Sequence, residues 1–193
     1  PPYFESFDQN QGMAVYRSRI PAGKEAVLSY EFFHDYGHVF VDGKLVKTVD
    51  RRVEYKADQK SFTIPARSKE SELEIWVEAM GHINYSITME TDRKGLYGKV
   101  LLDGQPIEDW TVTPIPLDVP TISDAKAAPA DGMPGGIFRS EFKLDQVEDT
   151  FIDMSKFTKG TLYINGINLG RYWNIGPQLR LYCPASVLKK GSN

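Results

Sequence analysis

The amino-acid sequence predicts an all-β protein that consists of two tandem jelly-roll or β-sandwich domains. Three observations lead to this prediction. Alternation of apolar and polar residues at period two is frequent, whereas helical periodicity is hard to find. Aromatic residues make up 12% of the 193 residues, which suits packing on pleated sheets. Finally, one hairpin pattern occurs twice at nearly constant spacing, which indicates a duplicated β-unit.

The first element is a hairpin around Asp42-Gly43, where alternating segments precede and follow the dipeptide. Asp-Gly and Asn-Gly tolerate the positive φ angles of a tight type I′ turn, so the dipeptide predicts a two-residue connection. Asn165-Gly166 predicts a second hairpin of the same kind, and Asp103-Gly104 a third, weaker one.

The first two hairpins belong to a longer repeat. Tyr16-Arg17-Ser18 is matched by Phe138-Arg139-Ser140, an offset of 122 residues, and Asp42-Gly43 is matched by Asn165-Gly166, an offset of 123. Further strands are expected at Ala26–Phe33, Ser61–Ile64, Leu73–Val77, Ile83–Met89 and Phe138–Leu144, with an edge strand near Ile115–Leu117.

Proline and glycine divide the chain between the two copies. The stretch 113–136 holds five prolines and three glycines, and proline cannot donate a hydrogen bond to a sheet. The predicted organisation is therefore a first β-sandwich domain at 1–112, a connector at 113–136 and a second β-sandwich domain at 137–193.

Composition argues against several classes of partner. The formal net charge is −3 and the basic residues are scattered, so no basic face for nucleic acid is expected. Apolar runs are only a few residues long, so no membrane partner is expected. Cys183 is the single cysteine, which excludes an internal disulfide, and its apolar neighbours favour a small buried side chain over a nucleophile.

No catalytic constellation stands out in the sequence. Asp35 and Glu78 lie in strand-like contexts, where a salt-bridged or solvated carboxylate is the favoured interpretation of each. His34 and His38 would lie about 13 Å apart on one strand, too far to share a metal ion. Motifs for nucleotides and for a serine nucleophile are absent, so neither a metal nor another cofactor is expected.

One aromatic segment follows the second hairpin and ends in Arg171-Tyr172-Trp173. Aromatic faces can stack on a sugar ring while polar side chains bind its hydroxyl groups. The favoured interpretation is that Trp173 fills a sandwich core or a domain interface while Arg171 pairs with an acid. Trp76 and Trp110 are interpreted as core or interface residues for the same reason.

Four blocks of this sequence together carry a family resemblance. The C-terminal block runs from Leu162 to Trp173 and on through Ile175-Gly176-Pro177-Gln178 to Leu181-Tyr182-Cys183-Pro184. The blocks in the first half are Gly12–Ser18, His34-Asp35 with Val39–Gly43, and Val77–Tyr85 followed by Arg93-Lys94-Gly95. Together these blocks resemble glycoside hydrolase family 35, the β-galactosidases. In the last block of the first half the family usually has Asn in place of Ala79 and Arg in place of His82.

The resemblance implies that this chain is the non-catalytic C-terminal portion of a β-galactosidase-like glycoside hydrolase, with galactose-binding-like jelly-roll domains. Both catalytic glutamates of the family lie in an N-terminal barrel, which would precede Pro1, so no catalytic residue is assigned and the chain alone is expected to be inactive. The implied partners are that barrel and a β-galactoside. The resemblance also favours an exported parent protein and a further strand after Asn193.

The resemblance places Tyr85 on a loop that faces the barrel beside the sugar subsites, whereas the residues alone equally allow a cross-strand tyrosine. Two other functions stay open. One is an autonomous carbohydrate-binding module that uses Tyr85 or Trp173, with Arg171 and Tyr172 beside it. The other is a purely structural interaction domain, which a broad exposed apolar patch would favour.

Overall fold

Alternating sequence segments form fifteen strands in the computed structural model, which describes residues 1–54, 56–118 and 135–193. The chain separates into two units, Pro1–Leu117 and Asp118–Asn193. All helices among the described residues are single 3₁₀ turns, and none of them is long and apolar enough to cross a membrane. These turns are Phe4–Phe7, Arg51–Val53, Ala57–Gln59, Met89–Thr91 and Ala185–Val187.

The N-terminal unit contains two antiparallel sheets. Its strands are β1 (Met13–Ile20), β2 (Ala26–His34), β3 (Tyr36–Val41), β4 (Lys44–Asp50), β5 (Ser61–Ile64), β6 (Ser71–Glu78), β7 (Gly95–Leu102), β8 (Gln105–Pro106) and β9 (Thr111–Ile115). One sheet has the order β4-β3-β6-β1-β9 and the other the order β5-β2-β7-β8. The prediction of an all-β sandwich is thereby confirmed.

The core of the N-terminal unit lies between these two sheets. Strand β6 alternates strictly between buried and half-buried residues, with Leu73, Ile75 and Val77 fully buried. They belong to one apolar cluster with Leu28 of β2 and Leu96 of β7, which lie in the other sheet. Period-two patterning therefore gives each sheet one apolar face, and burial of the two faces against each other holds the unit together.

The C-terminal unit is built from three antiparallel pairs around a smaller core. Its strands are β10 (Lys143–Leu144), β11 (Thr150–Asp153), β12 (Lys159–Ile164), β13 (Ile167–Trp173), β14 (Arg180–Cys183) and β15 (Gly191–Ser192). The pairs are β10-β15, β11-β14 and β12-β13. Ile164, Cys183 and Leu188 form the buried centre of this unit.

All three predicted hairpins are confirmed. Both residues of each turn have positive φ, for example 48° at Asp42 and 73° at Gly43, and 50° at Asn165 and 83° at Gly166. A type I′ turn requires this backbone, and Asp, Asn and Gly adopt it at low cost.

Three expectations about individual strands are wrong. Residues 83–89 are not a strand but part of an exposed loop, and the predicted strand Phe138–Leu144 is reduced to β10 at its end. Lys143 and Leu144 pair with Ser192 and Gly191, and Phe142 exchanges two backbone hydrogen bonds with Asn193, so pairing is confined to the last residues of the predicted strand. His34 ends β2 whereas His38 lies in β3, so they do not share a strand.

The predicted domain boundaries stay a prediction. Strand β9 crosses the predicted limit at residue 112 and pairs with β1, from Met13↔Ile115 to Arg17↔Thr111. Most of the predicted connector 113–136, namely residues 119–134, lies outside the described residues.

Candidate functional site

The most unusual surface of the N-terminal unit is the loop between β6 and β7, residues 79–94, called here the 79–94 loop. Its middle exposes three large apolar side chains, Tyr85 at 94%, Ile87 at 103% and Met89 at 48% of their full accessible area. We call these three residues the apolar tip. Large apolar groups presented together on a surface indicate contact with another molecule or domain.

A group of four charged side chains lies beneath this loop, and we call it the ion cluster: the buried Asp35, Asp92 and Lys94, and Arg51, whose side chain is 23% exposed. The ammonium of Lys94, which has no accessible surface, lies 3.1 and 3.0 Å from the two oxygens of Asp35 and 3.1 Å from Oδ2 of Asp92. Nη1 of Arg51 donates to Oδ1 of Asp35 at 2.7 Å and to Oδ1 of Asp92 at 3.1 Å. Two carboxylates therefore share two cations, as buried charges require.

The ion cluster also holds the backbone of the loop. Oδ2 of Asp35 accepts a hydrogen bond from the amide of Met80 at 2.7 Å, and Oδ2 of Asp92 accepts one from the amide of Ile83 at 3.2 Å. At the far end, both carboxylate oxygens of Glu5 accept from the amide of Lys94, at 3.2 and 3.1 Å. The loop that carries the apolar tip is thus tied to the sandwich at both of its ends.

The pKa values in the cluster follow from these contacts. Burial alone would raise the pKa of Asp92, but the Ile83 amide and the Lys94 ammonium outweigh it and hold that pKa below its usual range. Burial is also the main cause that lowers the pKa of His34, whose Nδ1 lies 2.8 Å from the carbonyl oxygen of Arg93. Asp92 is therefore ionised and His34 neutral at neutral pH.

A second histidine, His82, lies in the loop itself, with its side chain 39% exposed. Its Nδ1 lies 3.1 Å from the carbonyl oxygen of Asp92, and its Nε2 lies 3.5 Å from Oε1 of Glu5. The imidazole therefore lies between the loop and the 3₁₀ turn that contains Glu5.

The structure places Tyr85 in this loop, so the alternative of a cross-strand tyrosine is wrong. Asp35 forms salt bridges with Arg51 and Lys94, which is one of the two interpretations, salt-bridged or solvated, that its sequence context favours. Contact between Tyr85 and a sugar or a barrel stays a prediction.

The other predicted site residues lie in β13 of the C-terminal unit, where Arg171, Tyr172 and Trp173 are cross-strand partners of Thr161, Gly160 and Lys159. The ammonium of Lys159 lies 4.9 Å from the centre of the Trp173 ring, so a cation already lies over this aromatic face. A role of these residues in sugar stacking or at an interface stays a prediction.

The two remaining tryptophans are half-buried in the N-terminal unit. Trp76 packs against Phe40 with the ring centres 5.0 Å apart, and Trp110 packs against the apolar core. Cys183 is fully buried, as its sequence context predicts, and burial raises the pKa of its thiol.

A broad concave region of the N-terminal unit, about 760 Å³ in volume, lies along the end of β1 and the β7–β8 turn. Charged side chains of both signs line it, among them Arg19, Arg67 and Glu72, and none of the described residues that line it is aromatic. It lacks the flat apolar face on which a sugar ring stacks, so the 79–94 loop is the better candidate.

Comparison with known proteins finds two families that match successive parts of the chain. The family described as "Beta-galactosidase, first all-beta domain" matches residues 1–116, and the family described as "Beta-galactosidase, galactose-binding domain" matches residues 136–193.

Among curated relatives, a β-galactosidase of Xanthomonas manihotis is 34% identical over 94% of this chain, and the human "Beta-galactosidase-1-like protein 2" is 30% identical over 96%. "Beta-galactosidase 1" of Dictyostelium discoideum is 27% identical over 98% of this chain. The matched region spans 30%, 29% and 31% of the length of these relatives. This chain therefore belongs to the family of β-galactosidase first all-β domains, and a β-galactosidase galactose-binding domain follows in its C-terminal part.

Proposed function

We propose that this chain is the non-catalytic C-terminal portion of a β-galactosidase-like glycoside hydrolase, and that its 79–94 loop docks on the catalytic barrel of the parent protein. The observation that carries the proposal is the apolar tip, which is exposed in this chain while the ion cluster ties down both ends of its loop. Buried charged groups fix one geometry at a cost in desolvation, which is useful when a loop must present a defined surface.

The energetics favour docking over permanent exposure. Full burial of a large apolar side chain stabilises a complex by about 1.5–3 kcal/mol, so the apolar tip offers several kcal/mol to a complementary surface. A disordered loop would lose much of that gain as it became ordered. Because the ion cluster already ties down Met80 and Ile83, this loop has less entropy left to lose.

Within that interface, Tyr85 is the residue proposed to lie beside the sugar subsites. Tyrosine combines an apolar ring with a polar hydroxyl, which suits a border between a protein surface and a carbohydrate. The substrate of the parent protein would be a terminal β-galactoside, cleaved by two carboxylates of the barrel. We therefore expect no hydrolysis of an aryl β-galactoside by this chain alone, and measurable turnover by the purified chain would refute the proposal.

A chimera tests the docking directly. This chain would replace the matching region of the Xanthomonas manihotis β-galactosidase, and the hydrolysis rate and the melting temperature would be measured. Met89→Gln and Ile87→Gln are expected to lower the melting temperature of the chimera while leaving that of this chain alone nearly unchanged.

Leu45→Gln is the matched control, because Leu45 is 47% exposed, close to Met89 at 48%, and lies in the β3–β4 hairpin, outside the 79–94 loop. Docking by the apolar tip predicts no effect of this control in the chimera. Equal effects of Leu45→Gln and Met89→Gln would contradict the proposal.

A second candidate function is carbohydrate binding by the C-terminal unit. Phe151 and Tyr182 are cross-strand neighbours whose ring centres lie 5.5 Å apart, and both rings are largely exposed. The Tyr182 hydroxyl donates to Oδ2 of Asp149 at 2.6 Å, so a carboxylate lies beside the aromatic pair. Aromatic rings beside a carboxylate are the chemistry that binds a sugar ring and its hydroxyl groups.

Titration with galactose and with a β-galactoside separates the two candidates. Binding that is lost in Phe151→Ala but kept in Phe157→Ala would support the module, because Phe157 is a comparably exposed aromatic residue of the same unit. Tyr85→Ala and Trp173→Ala extend the test to the other aromatic candidates. Absence of binding in the folded wild-type chain would refute the carbohydrate-binding module and leave the docking role.

A further inference from the structure

We propose that the buried guanidinium of Arg67 is an oxyanion-binding site, which binds the carboxylate of an acidic sugar or a free anion such as sulfate. The site lies in the concave region of the N-terminal unit, along the end of β1 and the β7–β8 turn. Strand β6 runs from this region, which Glu72 lines, to Glu78, where the 79–94 loop begins. About 20 Å of strand therefore separate the two surfaces, and the inference does not depend on the docking function.

Hydrogen bonds to the backbone hold Arg67 in one position. Only 7% of this residue is exposed. Its Nε donates to the carbonyl oxygen of Pro21 at 3.0 Å, and its Nη1 donates to that of Pro65 at 2.8 Å. The backbone of Arg67 also exchanges two hydrogen bonds with Gly23, of 2.7 and 2.8 Å. The guanidinium is therefore in place before any ligand binds.

The charge of Arg67 is not neutralised by a carboxylate of the chain. None of the ion pairs formed by the described residues includes Arg67. By contrast Lys94, another buried cation of the same unit, pairs with both Asp35 and Asp92. A buried charge without a counter-ion is costly, and two carbonyl dipoles offset that cost only in part. An oxyanion at this position supplies the missing negative charge.

The end of the guanidinium that remains unbonded is Nη2. It carries two N–H groups, and neither donates to any of the described residues. Gly23 also lines the concave region, and a Cβ added to it would lie 3.2 Å from Nη2. The φ angle of Gly23 is not positive, so the backbone does not require glycine here. The missing side chain instead leaves Nη2 uncovered.

These donors suit a carboxylate or a sulfate. A planar guanidinium binds such groups through charge-assisted hydrogen bonds, which are shorter and stronger than neutral ones. Because Arg67 is already immobilised, binding costs little side-chain entropy. Carboxylates such as those of Glu72 and Asp103 line the same region and repel an anion, so we expect a dissociation constant of about 1 mM.

The experiment uses the Arg67 side chain as its own probe. The Nε–H group of an arginine gives a separate signal in a proton–nitrogen correlation spectrum, and its bond to Pro21 protects this one from exchange. The labelled intact chain is titrated with galacturonate, with sulfate and with uncharged galactose, at an ionic strength held constant with sodium chloride. Loss of the signal in Arg67→Lys assigns it.

Galacturonate and sulfate should shift the signals of the Arg67 Nε–H and the Gly23 amide until they saturate, whereas galactose should not. Tighter binding of galacturonate indicates that the anion is part of a sugar, and tighter binding of sulfate indicates a free oxyanion; either result supports the site. Gly23→Ala removes no hydrogen-bonding group but covers Nη2. It should weaken binding at least about tenfold, as the loss of a charge-assisted hydrogen bond does.

Lys24→Met is the matched control, because the exposed Lys24 lines the same region and its replacement also removes a positive charge. It should change the affinity by less than about threefold, since exposed charges are screened. Equal losses in Lys24→Met and Gly23→Ala would overturn the inference. So would an equal response to galactose, or no saturable shift up to about 20 mM of either anion, well above the expected constant. None of these results bears on the chimera, so a failure of this site is distinguishable from a failure of docking.

Discussion

Replacement of Lys94 by methionine is the most informative perturbation of the ion cluster. Methionine keeps the apolar stem of the side chain, so the substitution removes the charge without opening a large cavity. In the native structure this ammonium makes three contacts of 3.0–3.1 Å, with both oxygens of Asp35 and with one of Asp92. After substitution, Arg51 alone faces two buried carboxylates.

The expected cost follows from burial. The side chains of Asp35 and Asp92 are 2% and 1% exposed, so neither can regain water when its partner is removed. Breaking a buried ion pair on one side destabilises a protein by about 3–5 kcal/mol. At about 4 °C per kcal/mol, the melting temperature of the N-terminal unit should fall by at least about 12 °C.

Urea unfolding of the purified chain measures this loss, with Lys47→Met as the matched control. Lys47 pairs with Asp58, whose side chain is 61% exposed, so the control should cost less than about 1 kcal/mol. The double variant Asp92→Asn, Lys94→Met should recover part of the loss, because it removes one of the stranded charges. A loss in Lys94→Met no larger than in the control would refute the account of the ion cluster.

Three further predictions concern other parts of the chain. Gly37→Ala should destabilise the N-terminal unit by about 1–3 kcal/mol or more, because an added Cβ would overlap the carbonyl oxygen of Trp76; an unchanged urea midpoint would contradict this. The lowered pKa of His34 means that the unfolded chain takes up a proton more readily, so the free energy of unfolding should decrease as the pH falls below about 6.5. His34→Gln should flatten that decrease, as urea titrations at several pH values would show. Cys183 should react with a thiol reagent far more slowly in the folded chain than in urea, and equal rates would disprove its burial.

The hairpins could be predicted from the sequence because their information is local. Asp42-Gly43 and Asn165-Gly166 carry the positive φ angles of their turns within two residues, whatever surrounds them. The alternating flanks then determine which side chains face the core. The strand Ser61–Ile64 begins and ends at the residues that the sequence predicts, because local alternation also marks this segment.

Alternation alone misled the prediction where no neighbouring strand exists. Residues 83–89 place apolar side chains at every second position, as a half-buried strand does, yet they do not pair with any strand in the described part of the chain. Here the alternating pattern occurs in an exposed loop, and Tyr85 and Ile87 lie on its surface. Pairing is a long-range property, and periodicity carries no information about it.

The ion cluster could not be predicted because its members come from distant elements. Asp35 follows β2, Arg51 follows β4, and Asp92 and Lys94 precede β7. Charged residues are usually exposed, and among 26 acidic residues nothing local marks the few that the fold buries. Only the tertiary structure brings these four side chains together.

The central claim, that the anchored 79–94 loop docks on a catalytic domain, is tested most directly by amide hydrogen exchange. Exchange at residues 83–89 would be compared between this chain alone and the chimera with the Xanthomonas manihotis β-galactosidase, at one pH. Docking predicts slower exchange at these residues in the chimera, while the β3–β4 hairpin at Asp42-Gly43 exchanges equally in both. Equal exchange of the loop in an active, folded chimera would contradict the claim.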